Sequence, residues 1–332
     1  MKKIILLPIL ILSTLILILL TISSFYTPGA VSKVQIGISF SPKYAQKLGL
    51  DWQQTYLDIL TNLKVKNIRL NSYWRDLAPK YHQYNFSQLD FLIDQAEKHQ
   101  VKVMLVVGSK QPGWPECFAP GWAKQLTLKD RQKQTEDFIE VVIKRYQSHP
   151  AIIKWQIENE PLFDYGADCD PKDTNFLQSE VALVKKLDPS HDVVITDSGE
   201  LGFWATPMQN SDIFGTTLYR KVHNPILGFF VWPLPPGFYS LKSDLVRYFF
   251  APFNKQTIVS ELQVEPWFSS PFINTAVDRQ LDIFSIKDFK SNVDFAKKTG
   301  FDEIYLWGTE WWYYMAKNGH PEYLEYAKSL FK

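Results

Sequence analysis

Two glutamates end short apolar segments of this chain: Glu160 follows residues 152–157, and Glu261 follows residues 257–260. Two carboxyls facing one another across a cleft are what cleavage of a glycosidic bond requires. One gives a proton to the leaving oxygen, and the other attacks the anomeric carbon or activates a water. A glutamate at the end of a strand is ordinary by itself, so the weight falls on its company. Other apolar segments end in Arg69, Asn159, Tyr219 and Trp307. Asn159 sits beside Glu160, and Arg69 has the length and charge to reach Glu261.

The elements that must position these groups alternate along the chain. Strand-like runs occur at 34–40, 65–70, 101–107, 152–157, 193–196, 213–218, 257–260 and 304–307. Between them lie stretches with helical spacing, such as 89–99, where Leu89, Leu92, Ile93 and Ala96 share a face. Near-continuous apolar strands separated by helices point to parallel βαβ units buried on both faces. An open doubly wound sheet would usually carry a glycine-rich phosphate loop after its first strand, and residues 37–41 form none. The expectation is a single (β/α)8 barrel over 34–332, with its active site at the C-terminal strand ends. The fifth helix, near 203–210, has the weakest pattern. The long stretch 277–298 carries two apolar stripes and predicts a break near Ser285, and Gly300 suits a left-handed helix cap.

Residues Trp155–Pro161 read W-Q-I-E-N-E-P, which resembles the W-x-x-x-N-E-P signature of the clan A glycoside hydrolases. The resemblance covers the chain from about Val34 to Phe331, because the other strand ends agree with it. It implies that Glu160 is the acid/base, Glu261 the nucleophile, and Asn159 a partner of the sugar 2-hydroxyl. It also matches Arg69, Tyr219 and Trp307 to the clan's second-strand Arg, sixth-strand Tyr and eighth-strand Trp. Arg69 and the Tyr219 hydroxyl would then aim Glu261, and Trp307 would floor the sugar. In retaining enzymes of this kind the carboxyls stand about 5–5.5 Å apart. The chain departs from the cellulase-type pattern, which often has a His after the third strand and another two residues before the sixth-strand Tyr. The narrower family and the sugar are therefore not fixed by sequence. A retaining hydrolase of β-linked oligo- or polysaccharide is the leading reading. A transglycosylase with the same residues, or a sugar-binding barrel without catalysis, stand beside it.

Composition narrows the field further. The 36 Lys and Arg balance 35 Asp and Glu, so no nucleic-acid partner is expected. Six scattered histidines offer no metal-ligand spacing, so neither metal nor cofactor is expected. Eleven Trp are many for a core alone. Trp114, Trp122, Trp267, Trp311 and Trp312 are candidate sugar platforms at the mouth, whereas Glu158 is expected to point away from the pocket. A monomer is expected.

The N-terminus stands apart. Residues 4–22 are apolar but for Pro8, Ser13, Thr14 and Thr21, and 19 residues nearly span a bilayer core of about 30 Å. A cleaved signal peptide would have a shorter apolar run and a better cleavage site than the one after Ala30, where Pro28 sits three residues before the cut. Residues 1–24 are thus read as a transmembrane signal-anchor and 25–33 as a linker. Lys2 and Lys3 then stay cytoplasmic, with the barrel outside the cell membrane. Cys117 and Cys169 fall after the third and fourth strands, on adjoining loops. They are expected to form a disulfide, with Cα atoms about 4.4–6.8 Å apart.

Overall fold

The computed structural model describes residues 14, 17–29, 33–252, 254–267 and 275–331. Ten strands occur among them. They are β1 (Gln35–Phe40), β2 (Asn67–Asn71), β3 (Lys102–Val107), β4 (Ile152–Ile157), β5 (Asp192–Asp197), β6 (Ile213–Leu218), β7 (Lys221–Asn224), β8 (Gly228–Val231), β9 (Gln256–Gln263) and β10 (Glu303–Trp307). Eight close into a parallel barrel in the order β1-β10-β9-β6-β5-β4-β3-β2. Each barrel strand pairs in parallel with its neighbour, for example Arg69 with Met104 and Thr217 with Glu261. The remaining two, β7 and β8, form an antiparallel hairpin that the sequence pattern did not suggest.

Alternation along the strands separates two cores. On β4, Trp155 and Ile157 join the large cluster shared with the helices, so Lys154 and Gln156 face the barrel interior. Met104, Val194, Ile213, Ile258 and Tyr305 form a separate apolar cluster made of barrel strands alone. Below it, Lys154 pairs with Glu303, which also accepts from the Tyr305 hydroxyl at 2.7 Å. The interior is thus a packed plug of side chains, and polar groups gather above it.

The expected break at Ser285 is present. Helices Val277–Ile283 and Ile286–Lys297 flank it, and Ser285 caps the second with a reciprocal Asp288 capping box. The fifth helix exists but is short, Ala205–Asn210. Gly300 takes φ 73°, as a helix terminator should.

The signal-anchor read at 1–24 rests mostly on residues outside those described. Residue 14 and residues 17–25 are helical. Among the described residues no helix is long and apolar enough to cross a membrane.

Candidate active site

Arg69, rising from β2, organises the centre. It is 1% exposed, and each of its nitrogens donates to a different part of the barrel. Nε donates to Gln156 Oε1 at 2.7 Å. Nη1 donates to Glu261 Oε1 at 2.7 Å and to the Ser260 carbonyl at 3.3 Å. Nη2 donates to Asn159 Oδ1 at 2.9 Å. Because a guanidinium can only donate, this bond fixes the Asn159 amide with its oxygen inward and its nitrogen toward the mouth. The Tyr219 hydroxyl, just past β6, donates to the other Glu261 oxygen at 2.8 Å. Glu261 is therefore gripped on both oxygens, at the end of the strand that pairs with β6 and β10.

Glu160 lies in a different setting. Its backbone N–H donates to Thr196 Oγ1 at 2.9 Å, and its Oε1 accepts from Thr217 Oγ1 at 3.0 Å. No cation touches its carboxyl among the described residues. Burial, then the charges of Glu261 and Glu116, push its pKa well above the usual carboxylate range. The backbone is left-handed at Glu158 (φ 54°) and Glu160 (φ 45°), a conformation costly for side-chain-bearing residues and often kept where a group must be aimed. Lys110 supports this bend from beneath, its Nζ donating to the carbonyls of Glu160 and Phe163 at 2.9 and 2.8 Å.

Glu158 points away from Glu261, as expected, although alternation continued from Lys154 and Gln156 would turn it inward: the strand ends at Ile157 and the left-handed backbone at Glu158 (φ 54°) breaks the alternation. Its carboxylate accepts the backbone N–H groups of Ser109 and Lys110 and hydrogen-bonds Glu180. Its proximity also explains Gly108. A Cβ there would lie 2.2 Å from Glu158 Oε1.

Trp307 is half-buried at the end of β10. Its indole and the Tyr44 hydroxyl both hydrogen-bond Glu265, whose pKa burial raises to about 8. Of the five candidate platforms, Trp114 is at the surface, 58% exposed, and Trp267 is half-buried. Both rings lie 6.2 Å from Tyr165, and Trp267 is equally close to Tyr219. The other three are corrections. Trp311 and Trp312 are fully buried, because helix Thr309–Lys317 turns them into the core against Phe284, Phe289 and Tyr323. Trp122 packs edge-on against Trp74, and its Nε1 donates to the Ala78 carbonyl.

The disulfide Cys117–Cys169 is formed, with Cα atoms 5.2 Å apart. It ties the loop after β3 to the loop after β4. That pairing brings in a residue the sequence reading missed: Glu116, beside the cysteine, is 7% exposed and accepts from Asn159 Nδ2 at 3.0 Å. Gln156, Thr196 and Thr217 were missed as well. Alternation along β4, with Trp155 and Ile157 packed outward, could have found Gln156, and the cysteine's loop position could have found Glu116.

The model of the family described as Cellulase (glycosyl hydrolase family 5) matches residues 33–224, more than half of the chain. This protein belongs to glycosyl hydrolase family 5. The matched region runs from β1 through the first hairpin strand, so it includes Arg69, Asn159, Glu160 and Tyr219. Among curated proteins, a probable mannan endo-1,4-beta-mannosidase F of Aspergillus flavus is 28% identical over 122 residues, 34% of this chain and 25% of the relative. A probable mannan endo-1,4-beta-mannosidase A of the same species is 28% identical over 171 residues, 47% of this chain and 42% of that one. The match thus spans well under half of those relatives. Among solved structures, a GH5_18 protein from Bifidobacterium longum subsp. infantis aligns with TM-score 0.60 at 12% identity, covering 83% of this chain and 70% of that one. A beta-galactosidase from the psychrophilic Marinomonas ef1 aligns with TM-score 0.55 at 13% identity, covering 82% and 53%. At such identities these two speak to the barrel fold alone.

Proposed function

We propose that this family 5 protein is a retaining β-glycosidase in which Glu261 is the nucleophile and Glu160 the acid/base. The observation that carries the reading is the unequal setting of the two carboxyls. Glu261 is aimed by Arg69 and Tyr219, whereas burial and the charges of Glu261 and Glu116 favour the protonated form of Glu160. In the first step Glu261 attacks the anomeric carbon as the glycosidic C–O bond breaks, and the Glu160 proton passes to the leaving oxygen. In the second, Glu160 takes a proton from water as the water oxygen attacks the same carbon, releasing Glu261. Asn159 and Trp307 line the sugar between them, and Trp114, Tyr165 and Trp267 offer aromatic faces further out.

For the substrate, the names of the curated relatives favour a β-mannosidic linkage, and aryl β-mannosides and β-mannan head the panel to be screened. Internal cleavage suits a cleft rimmed by Trp114 and Trp267. The assignment is tested by trapping: a 2-deoxy-2-fluoro aryl glycoside of the active series should leave its sugar on Glu261. A label mapped to any other residue overturns the nucleophile assignment.

In the same reading residues 1–24 tether the barrel to the cell membrane, with the barrel outside. The apolar run and the Cys117–Cys169 bond, which suits an oxidising compartment, support it. Release from membranes by salt alone would contradict it.

A further inference from the structure

The Asn159 side chain has no free choice of partner. Its oxygen is taken by Arg69 at 2.9 Å and by Thr196 Oγ1 at 3.3 Å, and one amide hydrogen goes to Glu116 Oε2 at 3.0 Å. The second amide hydrogen and the Glu116 carboxyl therefore border the same space, beside Glu160 and Glu261. Glu116 is fixed there by its own loop. Its carbonyl accepts from Gln111 N–H at 2.8 Å, and its N–H donates to Gly113 at 2.7 Å. A bridge pairs it with Ala167, and the Cys117–Cys169 bond follows at once. All this holds it at φ 75°, a left-handed conformation that a glutamate adopts only at a cost.

We propose that Glu116 is a substrate-reading residue: together with Asn159 it forms the recess for the 2-substituent of the sugar being cleaved, and it selects a hydroxyl there. This rests on the glycosidase reading given above. A hydroxyl can take the spare Asn159 N–H and also pair with the carboxyl, so both walls are satisfied. A 2-ammonium group can only donate, and would leave two donors facing one another. A 2-deoxy sugar offers neither the second Asn159 amide hydrogen nor the Glu116 carboxyl a partner beyond the bond they share. Burial and the Glu261 charge raise the Glu116 pKa to about 8, so near neutrality it adds little negative charge beside the other two glutamates. Contacts to the 2-hydroxyl strengthen as the sugar flattens toward the transition state, so Glu116 acts on turnover as well as on binding.

The test pairs a residue with a substrate group. Glu116→Ala should lower kcat/KM for a 2-hydroxy aryl glycoside by about 10- to 100-fold, the weight of one well-placed hydrogen bond in a buried site. On the matching 2-deoxy glycoside the same variant should change kcat/KM less than about threefold. Comparing variant with wild type on each substrate cancels the intrinsic reactivity of the 2-deoxy sugar. A merely structural Glu116 would impair both substrates alike, and that result overturns the inference, as does no loss on either. Faster wild-type turnover of a 2-amino than of a 2-hydroxy glycoside also overturns it. Should Glu116→Ala not fold, Glu116→Asp withdraws the acid by one methylene and is held to the same comparison. A wild-type protein inert toward every glycoside would remove the glycosidase reading itself. An active wild type whose Glu116 variants discriminate nothing removes this inference alone.

Discussion

Arg69 Nη1 lies 2.7 Å from Glu261 Oε1, with both side chains almost wholly buried at 1% and 6% exposure. The same guanidinium sets the Asn159 amide, so one residue of β2 aligns groups delivered by β4 and β9. A fork that holds groups from two other strands at once cannot be copied by a point charge on a flexible stem.

Arg69→Met and Arg69→Lys should therefore each lower kcat/KM on an aryl glycoside by about 100-fold or more, the scale seen when one preorganised donor is removed from a reacting centre. Arg69→Met also leaves Glu261 buried beside an apolar chain. Its unfolding free energy should fall by about 3–5 kcal/mol in a urea titration. Near-normal turnover by Arg69→Lys would show that charge alone suffices.

Glu160 must be protonated to serve a leaving group, and burial with two nearby glutamates raises its pKa. Hydrolysis of unactivated aryl glycosides should thus persist to a higher pH than an ordinary glutamate would allow, then fall on the alkaline side as that proton is lost. Glu160→Gln should lose this alkaline limb. It should also cut the rate far more for poor leaving groups than for dinitrophenyl glycosides, which depart without a proton. Equal losses across leaving groups would count against the acid/base role.

The half of the site readable in the sequence is the half set by strand ends. Arg69, Asn159, Glu160, Tyr219, Glu261 and Trp307 each follow a strong apolar run, so fold and position could be argued together. What stayed hidden depends on loops. Glu116 reaches Asn159 only because residues 108–118 fold back on themselves and are tied to the next loop by the disulfide. Trp311 and Trp312 misled for a related reason. They follow a strand end, but Gly308 at φ 124° starts a helix there and swings both rings into the core. The hairpin β7–β8 was missed because its short strands pack little, and only Val222 is buried among its residues.

The Cys117–Cys169 bond closes a loop with a sequence separation of 52. On chain entropy alone this is worth roughly 4 kcal/mol against the unfolded state. Replacing both cysteines with alanine should lower the Tm by several degrees. It should also weaken turnover beyond what the stability loss explains at 25 °C, because the Glu116 loop loses its tie. An unchanged kcat/KM in a destabilised double variant would confine the bond to stability.

Several carboxyls that lie in no ion pair are buried around the barrel mouth. Burial raises Glu116, Glu265 and Glu310 to about 8, and Glu158 and Glu200 to about 7. For each of these the native state holds its proton to a higher pH than the unfolded chain does. Native protein therefore binds more protons than unfolded protein between about pH 4.5 and 8, and the unfolding free energy falls as pH rises through that window. Carboxyls with lowered pKa, such as Asp188 at about 2, are ionised in both states above pH 5 and do not offset this. The Tm should accordingly be higher near pH 5 than near pH 8, the reverse of a protein held mainly by ionised carboxylates. Glu310→Gln should flatten the slope by keeping one buried group neutral throughout, since the Glu310 carboxyl takes the N–H of Ser41 and its own backbone N–H, and an amide oxygen can do the same. Thermal melts at constant ionic strength read both effects, and a Tm that climbs from pH 5 to pH 8 would show that these carboxyls ionise without strain.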